Sequence, residues 1–448
     1  MRCSDVGGPG GRLRKLVVMV VAAVLLAPAA AHAAPYPYSS PAKDPFYAYT
    51  GDTPLADIAP GTVLKTRTSK YHISGVASKV EAVQLLYRST DQLGRPVANV
   101  TSVLRPAAAK ADAKKLLGYM SFYDSLNPAD QPSFAIAGGV TFGGTVNAVE
   151  ALFVAPFLNR GYTVTVPDTE GQDADFAAGP EYGMLSLDGI RATLASPDAG
   201  VAADAKVGML GYSGGAIAAQ WAAELAPKYA PDVDKLLVGT ATGGVMVNPA
   251  HNLHYIDGSK AWAGVMGMAV VGIARSFDID LQPYLNENGQ RLYNKLKYAS
   301  IANVLGQYPG LTWAKMTKPE FNTPESVPIY VTTVNKLIMG SYGTPTTPLF
   351  IGQGANGQLE GTKPGPAGIG GGDGVLVAGD GRALARQYCD KGVKVQYVQY
   401  DKLSHFSTML AWFNPAVTWM TRRFAGQEAP QNCATIAPGN SLAPIPEG

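Results

Sequence analysis

The most informative stretch of this 448-residue chain reads Val207-Gly208-Met209-Leu210-Gly211-Tyr212-Ser213-Gly214-Gly215-Ala216. An apolar run leads into the pattern Gly-x-Ser-x-Gly, and an Ala-rich segment of helical character follows it. Strand, Gly-x-Ser-x-Gly and helix in this order are typical of a nucleophile elbow, a strained turn that exposes the serine hydroxyl. The five-residue pattern alone is weak in a chain with 51 glycines, but its context is specific. We therefore predict that Ser213 is a nucleophile rather than the cap of an ordinary Gly-rich turn.

Strand-like and helix-like segments alternate on both sides of this stretch. Strands are predicted at residues 116–122, 162–166, 206–210, 235–240, 348–351 and 393–400, and helices at residues 149–159, 182–194, 214–229, 382–390 and 410–424. Before them, residues 83–87 and 97–104 indicate an antiparallel strand pair, whereas residues 35–75 show no clear periodicity. The alternation predicts an α/β protein with a mostly parallel sheet and helices on both faces. Together with the elbow, it indicates the α/β-hydrolase fold.

The alternation lapses between residues 244 and 344, where helix-like segments rich in Trp, Met and Tyr follow one another. We interpret residues 244–344 as an inserted helical lid, hereafter the cap. Residues 34–243 and 345–448 then form the two parts of one α/β-hydrolase core. Within the cap, residues 261–273 are apolar on every face, which indicates either a buried helix or a wall that lines an acyl-chain tunnel.

The beginning of the chain has the pattern of an exported protein. A positively charged start precedes an apolar run at residues 16–27, and the small residues of Ala31-His32-Ala33 follow. This order is typical of a secretory signal peptide, because the apolar run is too short to span a membrane comfortably. We predict a signal peptide at residues 1–33 with cleavage near Ala33, and an extracellular mature protein without a transmembrane anchor.

Composition and charge restrict the classes of function that the protein could have. Hydrophobic residues make up 46% of the chain and charged residues 16%, a balance that favours a packed globule over a disordered chain. The formal net charge is +2, and the sequence has no cluster of Lys and Arg interleaved with aromatic residues. We therefore exclude nucleic acid as a partner.

Cysteine usage agrees with export. Cys3 falls in the predicted signal peptide, so the mature chain keeps Cys389 and Cys433. Paired cysteines in an exported protein favour a disulfide. We predict a bond between Cys389 and Cys433, with two unpaired buried thiols as the alternative.

A serine at its ordinary pKa is a poor nucleophile, so a histidine must accept its proton and a carboxylate must orient that histidine. In this fold the acid and then the histidine follow the serine along the chain. The candidates after Ser213 are His251, His254 and His405. His251 and His254 precede any later strand that could supply the acid, and their spacing lacks the further ligands of a metal site. We predict that His405, just after the strand at 393–400, is the base and that the other two histidines are structural.

Two aspartates compete for the role of the acid. Both lie between the strand at 348–351 and His405. Asp380 precedes the helix predicted at 382–390 and is explained as its N-cap. Asp373 lies in a Gly-rich loop without such a duty. We predict Asp373 as the acid and keep Asp380 as the alternative.

The oxyanion that forms during acyl transfer needs hydrogen-bond donors. The helix that follows the nucleophile supplies the backbone N–H of Gly214 at its N-terminus. A loop after an early strand supplies the other donor in this fold, and here the strand at 116–122 leads into Tyr123-Asp124-Ser125. We predict the N–H of Asp124 as that donor. The alternative is an aspartate that only forms the turn.

These motifs together resemble a known family. Tyr123-Asp124-Ser125, Gly-Tyr-Ser-Gly-Gly at the elbow, Gly-Asp-Gly-Val around Asp373 and the Ser-His pair at His405 are similar to those of secretory lipases of the Candida antarctica lipase A type. The resemblance implies an α/β-hydrolase fold with a helical lid between nucleophile and acid. It also implies hydrolysis of acylglycerols and related esters without a metal or other cofactor.

The resemblance assigns the same roles to the same residues. The family's nucleophile falls on Ser213, its acid on Asp373, its base on His405 and its oxyanion aspartate on Asp124. Residues 352–372 are Gly-rich and expand the acid loop relative to the family pattern.

We therefore expect a secreted serine esterase that hydrolyses carboxylic esters, foremost acylglycerols, through an acyl-enzyme. Its partners would be an ester or lipid substrate and lipid interfaces. Short-chain esters or polyesters would use the same residues. A serine peptidase of the same fold and a binding protein that has lost catalysis are the remaining alternatives.

Overall fold

A nine-stranded sheet forms the centre of the protein in the computed structural model, which describes residues 36–106 and 112–446. The strands are β1 (Val63–Ile73), β2 (Val76–Thr90), β3 (Pro96–Arg105), β4 (Ala113–Met120), β5 (Thr163–Pro167), β6 (Val201–Tyr212), β7 (Leu237–Gly243), β8 (Leu349–Gly354) and β9 (Val395–Tyr400). The predicted signal peptide, residues 1–33, lies outside the described residues.

The sheet follows the order β1-β2-β3-β5-β4-β6-β7-β8-β9. From β5 to β9 along this order all neighbours are parallel, whereas β1, β2 and β3 add an antiparallel edge. The carboxyl ends of the six parallel strands therefore meet at one edge of the sheet. In open α/β sheets, ligand sites lie beyond that edge.

The parallel strands are covered on both sides. Every residue of β5 and β8 is buried. Strands buried on both faces favour apolar and β-branched residues, which residues 163–166 and 349–351 carry. The structure confirms the parallel part of the sheet that the sequence predicted.

The first strand corrects the sequence analysis, which expected an irregular segment over residues 35–75. β1 pairs antiparallel with β2 along most of its length. Its less exposed positions include Lys65, Arg67 and Ser69. The hydrophobic alternation that reveals a half-buried strand in a sequence is therefore missing.

Helices pack on both faces of the sheet and form the cap. The α-helices of the described residues are α1 (Pro132–Ala137), α2 (Thr145–Leu158), α3 (Gly179–Ala195), α4 (Gly214–Tyr229), α5 (Pro231–Asp234), α6 (Pro249–Ile256), α7 (Ala263–Ser276), α8 (Glu287–Leu296), α9 (Ile301–Val304), α10 (Trp313–Met316), α11 (Pro328–Asn335), α12 (Ala378–Asp390) and α13 (His405–Phe424). Trp221 of α4 belongs to the apolar cluster on one face, and Trp412 of α13 belongs to the cluster on the other. The two clusters together enclose the sheet.

Four of the predicted helices, α2, α3, α12 and α13, begin three to five residues earlier than the sequence predicted. α13 begins at His405, where the side chains of Ser404 and Ser407 form a capping box. α12 begins at Ala378, so Asp380 lies inside its first turn and is not the N-cap, which is Val377. The N-cap role predicted for Asp380 is therefore wrong.

Helices α6 to α11 follow one another between β7 and β8. They enclose a third apolar cluster that includes Met266, Met268 and Trp313. The expected cap, residues 244–344, falls in this segment, and its apolar run at 261–273 forms most of α7. In the part of the chain that the structure describes, α7 and the other helices are all too short or too polar to cross a membrane.

A disulfide fastens the C-terminal segment to the core. It joins Cys389, near the end of α12, to Cys433, as the sequence predicted. Beyond it, the chain returns along α12, where Asn440 donates from its backbone N–H to the carbonyl of Gly379 (3.1 Å).

Candidate active site

Ser213 occupies the turn between β6 and α4. Its backbone has φ 54° and ψ −120°, which residues with a side chain rarely adopt. Its N–H donates to the carbonyl oxygen of Gly243 at the end of β7 (2.9 Å). The strained turn is thereby held at the carboxyl edge of the sheet, where the sequence predicted a nucleophile elbow.

Two glycines after the serine allow this turn to pack tightly. A Cβ on Gly215 would overlap the carbonyl oxygen of Met120 at the end of β4. A Cβ on Gly214 would overlap the carboxyl group of Asp124. Glycine is thus required at both positions because neighbouring groups fill the space that a side chain would need.

His405 connects Ser213 with Asp373. Its Nε2 lies 2.9 Å from Oγ of Ser213, and its Nδ1 lies 2.8 Å from Oδ2 of Asp373. The backbone N–H of His405 also donates to the carbonyl oxygen of Asp373 (2.8 Å), and the hydroxyl of Tyr212 donates to the carbonyl of His405 (2.6 Å). Both ring nitrogens and the backbone of the histidine therefore have fixed partners.

Asp373 is fully buried and receives further hydrogen bonds. Its Oδ1 accepts from the backbone N–H groups of Val375 (3.1 Å) and Leu376 (2.8 Å). Its Oδ2 accepts from the side-chain amide of Gln353 (3.1 Å) as well as from His405. A buried carboxylate needs such donors, and here they also fix its orientation toward the imidazole.

The alternative candidates for the acid and the base pair with other residues instead of with Ser213. Asp380 accepts from Nδ1 of His251 (2.9 Å) and from the amide of Asn440 (2.7 Å). His254 pairs through Nε2 with Glu325 within the cap (2.6 Å). Among residues 36–106 and 112–446, no group of three or more His, Cys, Asp or Glu is arranged to hold a metal ion.

Asp124 follows β4 in a left-handed backbone conformation, with φ 40°. Its carboxyl group is buried against Gly214, and its Oδ1 has no hydrogen-bond partner. Burial raises the pKa of Asp124 to about 8, an effect that His405 opposes and Glu150 reinforces. The carboxyl group is therefore mostly neutral at pH 7.

Two buried acids, which the sequence analysis did not single out, hold the loop that carries Asp124. Glu150 of α2 accepts from the hydroxyl of Ser121 (2.6 Å) and the N–H of Phe122 (2.8 Å), and burial raises its pKa to about 7. Glu170 accepts from the N–H of Ser125 (3.2 Å), and burial raises its pKa well above the ordinary value. Their contacts are long-range, so no local sequence pattern could have revealed them.

Comparison with known proteins identifies the family. A family model described as "Secretory lipase" matches residues 139–432. The chain belongs to the secretory lipase family. Lipase 4 of Candida albicans is 30% identical over 410 residues, which cover 89% of this chain and 84% of that protein. A Mycobacterium tuberculosis protein named a probable inactive lipase is 29% identical over 392 residues, which cover 86% and 83%.

A solved structure supports the same conclusion about the fold. Candida antarctica lipase A in its closed state superposes with a TM-score of 0.73 at 24% identity, covering 91% of this chain and 92% of that one. The α/β-hydrolase fold and the family resemblance predicted from the sequence are confirmed.

An apolar cavity of about 150 Å³ lies beside Ser213 in this member of the secretory lipase family. Asp124 and Gly214 also line it. The remaining wall is almost entirely apolar and comes largely from the cap, with Leu253, Met266, Val270, Leu292, Leu296 and Ile301 among its side chains. The cap thus places an apolar enclosure directly next to the serine hydroxyl.

Glu360 is a further acid near the site that the sequence analysis missed. It lies in the Gly-rich loop between β8 and Asp373, and its carboxylate accepts from the indole of Trp262 (2.8 Å). Burial raises the pKa of Glu360, and the neighbouring His405 opposes that rise. Burial lowers the pKa of His405, but the neighbouring acids, Asp373 first and then Glu360 and ionised Asp124, outweigh it, so the net pKa of the imidazole is raised.

Proposed function

We propose that this secretory lipase hydrolyses carboxylic esters, foremost acylglycerols, through an acyl-enzyme on Ser213. The observation that carries the proposal is the hydrogen-bonded series from Ser213 through His405 to Asp373 at a strained elbow. A hydroxyl becomes a nucleophile when a neighbouring imidazole accepts its proton and a carboxylate holds that imidazole.

The first half of the reaction forms the acyl-enzyme. Nε2 of His405 accepts the proton of Ser213 while Oγ attacks the ester carbonyl carbon. The tetrahedral intermediate collapses, the bond to the alcohol oxygen breaks, and His405 returns the proton to the leaving alcohol. Asp373 keeps Nδ1 protonated and stabilises the imidazolium in between. In the second half, water attacks the acyl-enzyme with His405 again as the base.

The oxyanion of each tetrahedral intermediate would be held by two backbone donors. The N–H of Gly214 lies at the N-terminus of α4, where free N–H groups and the helix dipole favour negative charge. The N–H of Asp124 would be the second donor, since the carboxyl group of the same residue lies against Gly214. The neutral carboxyl group of Asp124 avoids a negative charge beside the oxyanion.

The substrate class follows from the enclosure around the serine. An almost wholly apolar cavity gains free energy by burying an acyl chain, at about 0.8 kcal/mol for each methylene group. The surface of the α/β-hydrolase core domain also exposes large apolar side chains, among them Phe142, Leu152 and Leu410. A contiguous group of such side chains would suit contact with a lipid interface.

The proposal also covers the domain organisation of the protein and its export from the cell. Residues 1–33 direct export and are removed near Ala33. The mature enzyme then consists of the core, residues 34–243 and 345–448, and the cap, residues 244–344, which supplies most of the acyl-chain enclosure. Export agrees with the family and with the disulfide between Cys389 and Cys433.

Variants of the three hydrogen-bonded residues test the assignment. Ser213→Ala should lower kcat for p-nitrophenyl butyrate about 10⁴-fold or more, and Asp373→Asn should lower it by orders of magnitude by favouring the wrong imidazole tautomer. Asp380→Asn is the matched control, because that aspartate pairs with His251 instead. It should lower the melting temperature with little change in kcat. A larger kcat loss for Asp380→Asn than for Asp373→Asn would transfer the acid role to Asp380.

The pH dependence of kcat/KM tests the neutral state of Asp124. Activity should rise with pH as His405 loses its proton, because only the neutral imidazole accepts the proton of Ser213. Activity should fall again near pH 8 as Asp124 ionises beside the oxyanion. Asp124→Asn keeps the shape of the neutral carboxyl group and should abolish the alkaline decline. An unchanged alkaline limb in this variant would contradict the assignment.

A bulky residue in the cavity tests the acyl-chain site. Val270→Trp fills part of the enclosure that the cap provides. We expect kcat/KM for p-nitrophenyl palmitate to fall at least tenfold, since each buried methylene contributes about 0.8 kcal/mol. Hydrolysis of p-nitrophenyl acetate is the internal control for folding and should change by less than about threefold. Equal losses on both esters would mean that the acyl chain binds elsewhere.

A further inference from the structure

Glu360 joins two segments that meet at His405. Its Oε1 accepts from the backbone N–H of Phe406 (3.0 Å), the residue directly after the histidine. Its Oε2 accepts from Nε1 of Trp262 (2.8 Å), which directly precedes α7 in the cap. One carboxylate therefore connects the start of α13 with the cap.

Trp262 in turn covers the imidazole. It is almost completely buried, and its ring meets that of His405 edge to face, with centroids 5.2 Å apart. It also stacks on Phe406, with centroids 5.5 Å apart. The hydrogen bond to Glu360 fixes the in-plane orientation of the indole, and the packing fixes its distance from the histidine.

The hydrogen-bonded pair of Glu360 and Trp262 packs directly against the loop that carries Asp373. A Cβ on Gly374 would come within 2.7 Å of Oε2 of Glu360 and 3.0 Å of Nε1 of Trp262. Gly374 itself has φ +133°, a conformation that disfavours a side chain. Because Gly374 has no side chain, the carboxylate of Glu360 and the indole of Trp262 fit beside the residue that follows Asp373.

We infer that Glu360 is a positioning residue for His405, an inference that rests on the proposed function. It holds the backbone beside the histidine, anchors the indole against the imidazole and adds a second negative charge near the imidazolium. The ionisable groups near His405 include the acids Asp373, Glu360 and Asp124 and the phenol of Tyr212, whose ring centroid lies 5.1 Å from that of the imidazole. Asp373 binds the imidazole directly and sets its tautomer. Glu360 acts through its hydrogen bonds to Phe406 and Trp262 and through the electrostatic field of its carboxylate.

The charge of Glu360 distinguishes positioning from simple packing. The imidazolium forms in the transition state and also when the free enzyme takes up a proton at low pH, so a nearby negative charge both stabilises the transition state and raises the pKa of His405. A purely structural carboxylate would affect folding or the maximum rate but would not move the pH at which His405 gains its proton. The acid limb of the pH profile is therefore the decisive readout.

The experiment measures covalent labelling of Ser213 by diethyl p-nitrophenyl phosphate. The reagent is small, and its second-order rate constant between pH 5 and 9 reports the protonation of His405 in the free enzyme. Intact mass gives the extent of labelling at each time point. Glu360→Gln removes the charge at nearly constant shape, and Glu428→Gln is the matched control, because Glu428 pairs with Lys394 at the surface.

We expect Glu360→Gln to lower the maximum labelling rate roughly tenfold and to move the acid limb to lower pH by roughly half to one pH unit. Glu428→Gln should match the wild type in both. An acid limb at the wild-type pH in folded Glu360→Gln would overturn the inference, whatever the maximum rate.

A second variant decides the question if Glu360→Gln does not fold. Trp262→Phe keeps an aromatic ring against His405 and removes the indole N–H that donates to Glu360. We expect its labelling rate to fall three- to tenfold at an unchanged circular dichroism spectrum, and a wild-type rate would overturn the inference. Failure of the wild-type chain to be labelled at Ser213 would instead overturn the proposed function itself.

Discussion

The strained turn at Ser213 is the constraint on which the site depends. A residue with a side chain holds φ 54° and ψ −120° only when its surroundings determine that conformation fully. Here the hydrogen bond to Gly243 fixes the turn from β7, while the close approach at Gly214 and Gly215 fixes it from the loop of Asp124 and from β4. The serine hydroxyl, the free N–H groups of α4 and the carboxyl group of Asp124 therefore share one rigid frame.

Burial gives this frame its chemical character. Desolvation raises the pKa of Asp124 to about 8 and that of Glu150 to about 7, so both carboxyl groups beside Ser213 ionise at a higher pH than usual. Two other carboxyl groups lie on the side of His405, where Asp373 binds the ring and Glu360 lies behind Trp262. A mostly neutral carboxyl group near the oxyanion and two further acids near the imidazolium suit a reaction that forms both charges.

The sequence predicted the parts of the candidate site that obey a chain order. Ser213, Asp373 and His405, which the structure brings into one hydrogen-bonded series, could be predicted because the fold fixes the order in which its strands deliver them. Glu360 and Trp262 were missed because they meet only through tertiary packing of a Gly-rich loop against the cap. β1 was missed because its inner face carries polar side chains, and the N-cap role of Asp380 was wrong because α12 begins two residues before it.

The proposed function requires that the elbow makes Ser213 the nucleophile. The most direct measurement is peptide mapping by mass spectrometry after reaction of the folded protein with a fluorophosphonate. We expect one adduct, on the peptide that contains Ser213, and its disappearance when His405 is replaced by alanine. A folded protein that remains unlabelled, or an adduct on another serine, would contradict it.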